Sequence, residues 1–131
     1  MENLLEKYVL AIVVTLLGFL APIHTIMLAV GVLIFGDMIL GVWAAKKQGR
    51  PITSARLRDT VSKMFIYHLV LIMGFVVEKW LLNDFIPIAK LTASVIGVVE
   101  MKSVYENAGI ILGHPLFSDL ILKLGSKNQK E

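Results

Sequence analysis

The chain has 131 residues, 56% of them hydrophobic, and a mean hydropathy of +0.76, which is more apolar surface than a soluble domain of this size can hide. Its 13 basic and 10 acidic residues leave a formal charge of +3, but the basic residues gather in one connection between apolar runs, so they read as a topology signal and no nucleic-acid partner is expected. The absence of cysteine excludes disulfides, zinc thiolate sites and a thiol nucleophile.

Together these features predict an all-α integral membrane protein, a single domain over residues 1–131 with three to four transmembrane helices. The N-terminus, Met1 to Lys7, carries Glu2, Glu6 and Lys7 and so lacks the positive n-region of a cleaved signal. The first apolar run, about residues 4–21, is expected to stay attached. Its charge-free part, Tyr8 to Ala21, suits either a span or an interfacial helix. Pro22 disfavours helix at Ala21 and suits the first turn of a new helix, so the expectation is a tight helical hairpin into the second run.

That second run, about residues 23–45, is the clearest span. It is apolar but for His24, Thr25 and Asp37, and at about 1.5 Å per residue it covers roughly 34 Å, enough to cross a bilayer's hydrocarbon core. The connection 46–63 holds Lys46, Lys47, Arg50, Arg56, Arg58 and Lys63 against Asp59, which assigns it to the cytoplasmic side and to contact with anionic lipid. Thr53 or Ser54 can cap a short interfacial helix within it.

The third run, about residues 64–82, has His68 inside and Glu78, Lys79 and Trp80 near its far end, where they can reach headgroups. The fourth, about residues 85–112, begins near Pro87 and turns polar between Glu100 and Asn107. Gly113, His114 and Pro115 end it, and a C-terminal amphipathic segment over 115–124, with Leu116, Leu120, Ile121 and Leu124 on one face, is expected on the inner membrane surface. Four spans place both termini in the cytoplasm. If the first run lies on the surface, the N-terminus is exported.

Two stripes carry polar groups into the apolar runs. Asp37, Gly41 and Ala45 share one face of the second helix at i, i+4, i+8, and a lone carboxylate there costs on the order of 1 to 3 kcal/mol. They read as an oligomer seam or pore lining, or as an intramolecular pairing of Asp37 with Lys63 or a hydroxyl. On the last helix Ala93, Gly97, Glu100, Ser103 and Asn107 recur at spacings of three and four, small and polar residues again sharing a face. Glu100 suits either that seam or snorkelling at the inner interface, and Lys102 with Glu106 reads as an ordinary i, i+4 pair. His24, His68 and His114 are isolated and no phosphate-cradling glycine loop occurs, so neither catalysis nor a cofactor is expected, and His68 reads as a packing residue.

The order Gly36-Asp37-x-x-x-Gly41, Ala44-Ala45, a basic turn with Ile52-Thr53-Ser54, then Lys63, together with Glu100-x-x-Ser103-x-x-Glu106-Asn107 and Gly113, resembles the bacteriophage holin family of the toxin-secretion/phage-lysis type. The likeness covers roughly Asp37 to Leu124. His114-Pro115 meets the proline that often comes after that family's late glycine only approximately, and the first run offers no motif. The resemblance implies a phage protein that accumulates in the host's cytoplasmic membrane, forms homo-oligomers, and opens lesions that admit an endolysin to the cell wall. Read without it, the intramembrane carboxylates also suit a small oligomeric ion channel or transporter subunit, and the basic connection with its amphipathic tail suits a membrane anchor or scaffold.

Overall fold

In a computed structural model the described residues, 2–116, are helical throughout, apart from short connections. Four long helices occur in order: α1 (Glu2–Leu20), α2 (His24–Lys47), α3 (Ser54–Val76) and α4 (Ile88–Leu112). A 3-10 turn, Ala21–Ile23, joins α1 to α2, and a π-helical turn, Val77–Leu81, extends α3. Most of the segment 115–124, expected to be amphipathic, lies outside the described residues.

Local chemistry explains the punctuation. Helix α2 closes in a Schellman motif: Gly49, at φ +66°, is left-handed, and the amides of Gly49 and Arg50 donate to Lys46 O (3.1 Å) and Ala45 O (2.9 Å). Pro51 then prevents helix from resuming at once. Helix α4 also ends at a left-handed glycine, Gly113 at φ +83°, here in the simpler αL motif in which its amide donates to Gly109 O. At its start, the Glu78 carboxylate accepts from the Ala89 amide at 2.9 Å, putting a negative charge at the helix's positive end. Asn83 and Asp84, two residue types that tolerate positive φ, take the left-handed positions of the connecting turn, and Lys79 pairs with Asp84 at 2.8 Å.

Helices α2, α3 and α4 pack as a three-helix bundle, with α2 against α4 the most extensive of the three seams. Ile23, Val30, Ile34, Leu71, Phe75, Ala89 and Ile96 form its core. Glycine permits one especially close approach: a Cβ added at Gly74 would stand 3.2 Å from both Ile88 Cγ2 and Thr92 Oγ1 of α4. The outward faces are apolar and exposed, among them Leu28, Val32, Phe65, Val95 and Val98. Such a surface suits lipid, not water. Two segments, Asn3–Lys47 and Ser54–Leu81, are long and apolar enough to cross a membrane.

Three expectations change. No tight hairpin forms at Pro22: α1 makes no extended packing with α2, and Leu4, Leu5, Tyr8, Val9, Ile12, Leu16 and Leu17 all stay exposed along it. The physical reason is that the 3-10 turn keeps Leu20 and His24 in the right-handed helical region, so proline interrupts the helix without reversing the chain. What ties α1 to the bundle is Phe19, stacked on Trp80 at 5.3 Å and edge-on to Phe75 at 5.6 Å. The basic connection is also shorter than 46–63, because α3 begins at Ser54 and carries Arg56, Arg58 and Lys63 on its first turns. Thr53 makes no side-chain cap there; it is its carbonyl that accepts, from Arg56 N.

Gly74→Leu should force α3 from α4 and lower the stability of the purified chain in detergent by about 1–3 kcal/mol, the range for overpacking. Gly36→Ala, where an added Cβ meets nothing within 4 Å, should leave the melting curve unchanged or raise it slightly. Equal losses in both variants would show that the α3–α4 approach is not a tight one.

Candidate functional site: a charged cluster inside the helix bundle

Within an otherwise apolar bundle, each of the three packed helices sends a polar side chain to one place. Asp37 stands in the second half of α2, Lys63 on the first half of α3, and Glu100 and Asn107, seven residues apart on one face, on α4. The Lys63 ammonium is the hub. Its Nζ lies 2.8 Å from Glu100 Oε2 and 3.3 Å from Asp37 Oδ2. Asn107 closes the α2–α4 side, its Nδ2 donating to Asp37 Oδ1 at 3.0 Å, and the Tyr67 hydroxyl, one turn beyond Lys63, bonds to Glu100.

Burial differs sharply among the partners. Glu100 is 1% exposed, Asp37 14% and Lys63 34%, so the ammonium has access to the surroundings while the Glu100 carboxylate has none. An ionised carboxylate so placed is tolerated only with a countercharge and hydrogen bonds, and both are present. No buried side-chain nitrogen or oxygen among the described residues lacks a hydrogen-bond partner. The helices approach closely here because Gly41 and Ala45 of α2 are small and buried. Arg56 uses the space at Gly41: an added Cβ would lie 3.1 Å from Arg56 Nη2 and 3.4 Å from Asn107 Nδ2.

The structure thus brings Asp37, Gly41, Glu100 and Asn107, from the two predicted stripes, together inside one chain. Gly97 also faces α2, with Leu33 Cδ1 3.8 Å from its missing Cβ, and Ser103 is half-buried. Glu100 does not snorkel; its carboxylate is turned into the bundle. The six basic residues divide. Lys46, Arg50 and Arg58 are exposed, Arg56 is half-buried over Gly41, and Lys63 belongs to the cluster. Lys47 reaches across to bond Ile111 O, satisfying a terminal carbonyl at the negative end of α4. Tyr67 and the inward turn of Arg56 are not anticipated from sequence, although Tyr67 lies four residues after Lys63 and so shares its face.

Among the described residues no group of His, Asp and Glu is arranged to hold a metal ion. The arrangement offers instead a charged seam whose hydrogen bonds join three helices, with apolar surface outside it.

Comparison with known proteins bears on what such a bundle is for. No curated protein and no solved structure is significantly similar to this chain. The sequence model of the bacteriophage holin family does match, over residues 11–125, a stretch that starts midway along α1 and takes in the whole bundle with every member of the charged cluster. On that match, which covers well over half of its length, the chain belongs to the bacteriophage holin family.

Proposed function

We propose that this protein collects in the cytoplasmic membrane of a bacterial host, assembles with copies of itself, and opens lesions that release an endolysin to the cell wall. Membership of the holin family gives it a role in membrane permeabilisation and places it in the inner membrane. The observation that carries the finer reading is the cluster of Asp37, Lys63, Glu100 and Asn107 enclosed in a bundle whose outer faces are apolar. Lipid gives apolar helices no hydrophobic reason to associate, so small-residue faces and interhelical hydrogen bonds supply the attraction, about 0.5 to 2 kcal/mol each. Partners held within one chain at low density can be exchanged for the same partners on a neighbour. Asp37, Gly41, Ala45, Gly97, Glu100, Ser103 and Asn107 then form the seam, and as subunits accumulate that seam trades lipid for water.

In this reading α2, α3 and α4 cross the membrane with the 48–53 turn in the cytoplasm, where exposed Lys46, Arg50 and Arg58 meet anionic headgroups. Helix α1 leaves the outer end of the bundle, anchored by Phe19 on Trp80. The endolysin is a functional partner that needs no contact with this chain, and the protein itself performs no catalysis.

Buried carboxylates also suit a cation-conducting oligomer. Induced expression in a bacterium, with and without an endolysin lacking an export signal, separates the two while culture density and membrane potential are tracked together. Sudden lysis that needs both proteins is the expected result; depolarisation without lysis would assign an ion-conducting pore instead, and silence in both traces an anchor. Asp37→Asn, which keeps the shape but loses the charge facing Lys63, should shift the onset of lysis by about twofold or more, the equivalent of one interhelical bond. Unchanged timing at equal expression would remove Asp37 from the mechanism.

A further inference from the structure

One side chain between α2 and α3 is bonded in a way that a neutral group cannot fully satisfy. The ring of His68 sits half-buried on α3, with Nδ1 2.7 Å from Met64 O of its own helix and Nε2 3.0 Å from Met27 O of α2. Gly31 leaves room for it: a Cβ there would be 3.9 Å from both Cε1 and Nε2. Both partners are backbone carbonyl oxygens, which only accept. A neutral imidazole carries one N–H and one bare nitrogen, so whichever tautomer forms, one contact sets a lone pair against a carbonyl oxygen. Only the imidazolium donates to both.

We propose that His68 is a proton-dependent clasp between α2 and α3. With two ring protons it holds the backbones of both helices at once. With one, either the bond within α3 or the bond across to α2 is lost, and the helix pair loosens at this level. The clasp is complete at acid pH and half-made once the ring has lost its proton. Many ionisable side chains on the packed elements are engaged elsewhere: Asp37, Lys63, Tyr67 and Glu100 bond to one another, Arg56 lies over Gly41, Lys47 bonds Ile111 O, Lys102 pairs with Glu106, Glu78 accepts from Ala89 N and Lys79 pairs with Asp84, while Lys46, Arg58 and Asp59 are exposed. His24 bonds to Ala21 O at the start of α2, and Lys90 is exposed on α4. The polar contacts of the ring are therefore its two carbonyls. The proposal concerns the bundle of a single chain and stands apart from the reading of lesion formation.

The full-length chain in lipid vesicles, with His24→Gln and His114→Gln so that His68 is the sole histidine, provides the test. Nitrogen-15 resonances of the ring, recorded between about pH 5 and 8.5 to bracket the ordinary histidine range, should show two protonated nitrogens at low pH. On deprotonation, a spin-label pair at Leu28→Cys and Leu69→Cys should report a widening of the distance distribution. The tight population should change by about two- to tenfold across the titration, the equilibrium equivalent of one net hydrogen bond. His68→Gln, which can still donate once, should give a distance that does not vary with pH. A bare ring nitrogen at every pH, or an α2–α3 distance equally pH-dependent with and without His68, would overturn the clasp; if the glutamine variant fails to fold, the nitrogen resonances of the histidine form decide alone.

Discussion

Placing two carboxylates and one ammonium inside an apolar helix bundle is costly, and the rest of this architecture depends on how that cost is met. The penalty for each separated ion is several kcal/mol, offset only when geometry is good and the remaining lone pairs are filled. Here Lys63 lies within 3.3 Å of both Asp37 and Glu100, while Asn107 and Tyr67 fill further positions on the carboxylates. Because those groups come from three helices, meeting the cost fixes the register of α2, α3 and α4 against one another. Apolar packing alone would not do this, since Leu71, Ile34 and Val30 find equivalent neighbours in lipid tails.

The ends of the bundle are set by a similar economy. Each helix terminus leaves unsatisfied backbone groups that water cannot reach once they enter a membrane. Glu78 serves the start of α4 and Lys47 its end, while Gly49 allows the end of α2 to close on itself. Long charged side chains near the end of one helix thus serve as caps for a neighbouring helix. Among the basic residues of 46–63, Lys46, Lys47, Arg50 and Arg58 are exposed, Lys47 while it also bonds Ile111 O, and Arg56 and Lys63 are half-buried.

Much of this is legible in the sequence because membranes impose long, uninterrupted signals. The apolar length of 23–45, the basic connection and the two polar stripes are one-dimensional patterns, and Asp37, Glu100 and Asn107 of the stripes meet within one chain. The pairing of Asp37 with Lys63 is one of two readings the pattern leaves open, since periodicity gives the face of a residue but not the helix opposite. The hairpin at Pro22 fails for a definite reason: Pro22 stands in the first positions of a 3-10 turn, where no N–H is missed, so the chain carries on in the helical region without a reversal. From sequence a helix opening at Thr53 or Ser54 reads as a short interfacial piece separate from the third apolar run, because Arg56, Arg58 and Lys63 break the apolar pattern, whereas α3 runs unbroken from Ser54 to Val76. Glu100 is judged there by its distance from the end of an apolar run, which hides that a carboxylate with a countercharge can be buried more deeply than a snorkelling one.

If Lys63 holds the three helices together by neutralising two buried carboxylates, a single variant and a triple variant at the cluster should differ sharply in stability. Thermal or denaturant unfolding would be measured for the purified chain, for Lys63→Met, and for Lys63→Met combined with Asp37→Asn and Glu100→Gln. Removing the ammonium alone should destabilise by about 3–5 kcal/mol, because two carboxylates are left buried without a countercharge, whereas neutralising all three should restore most of that loss. A triple variant no more stable than Lys63→Met, or a single variant that unfolds like the parent, would mean that Lys63 does not hold the bundle together.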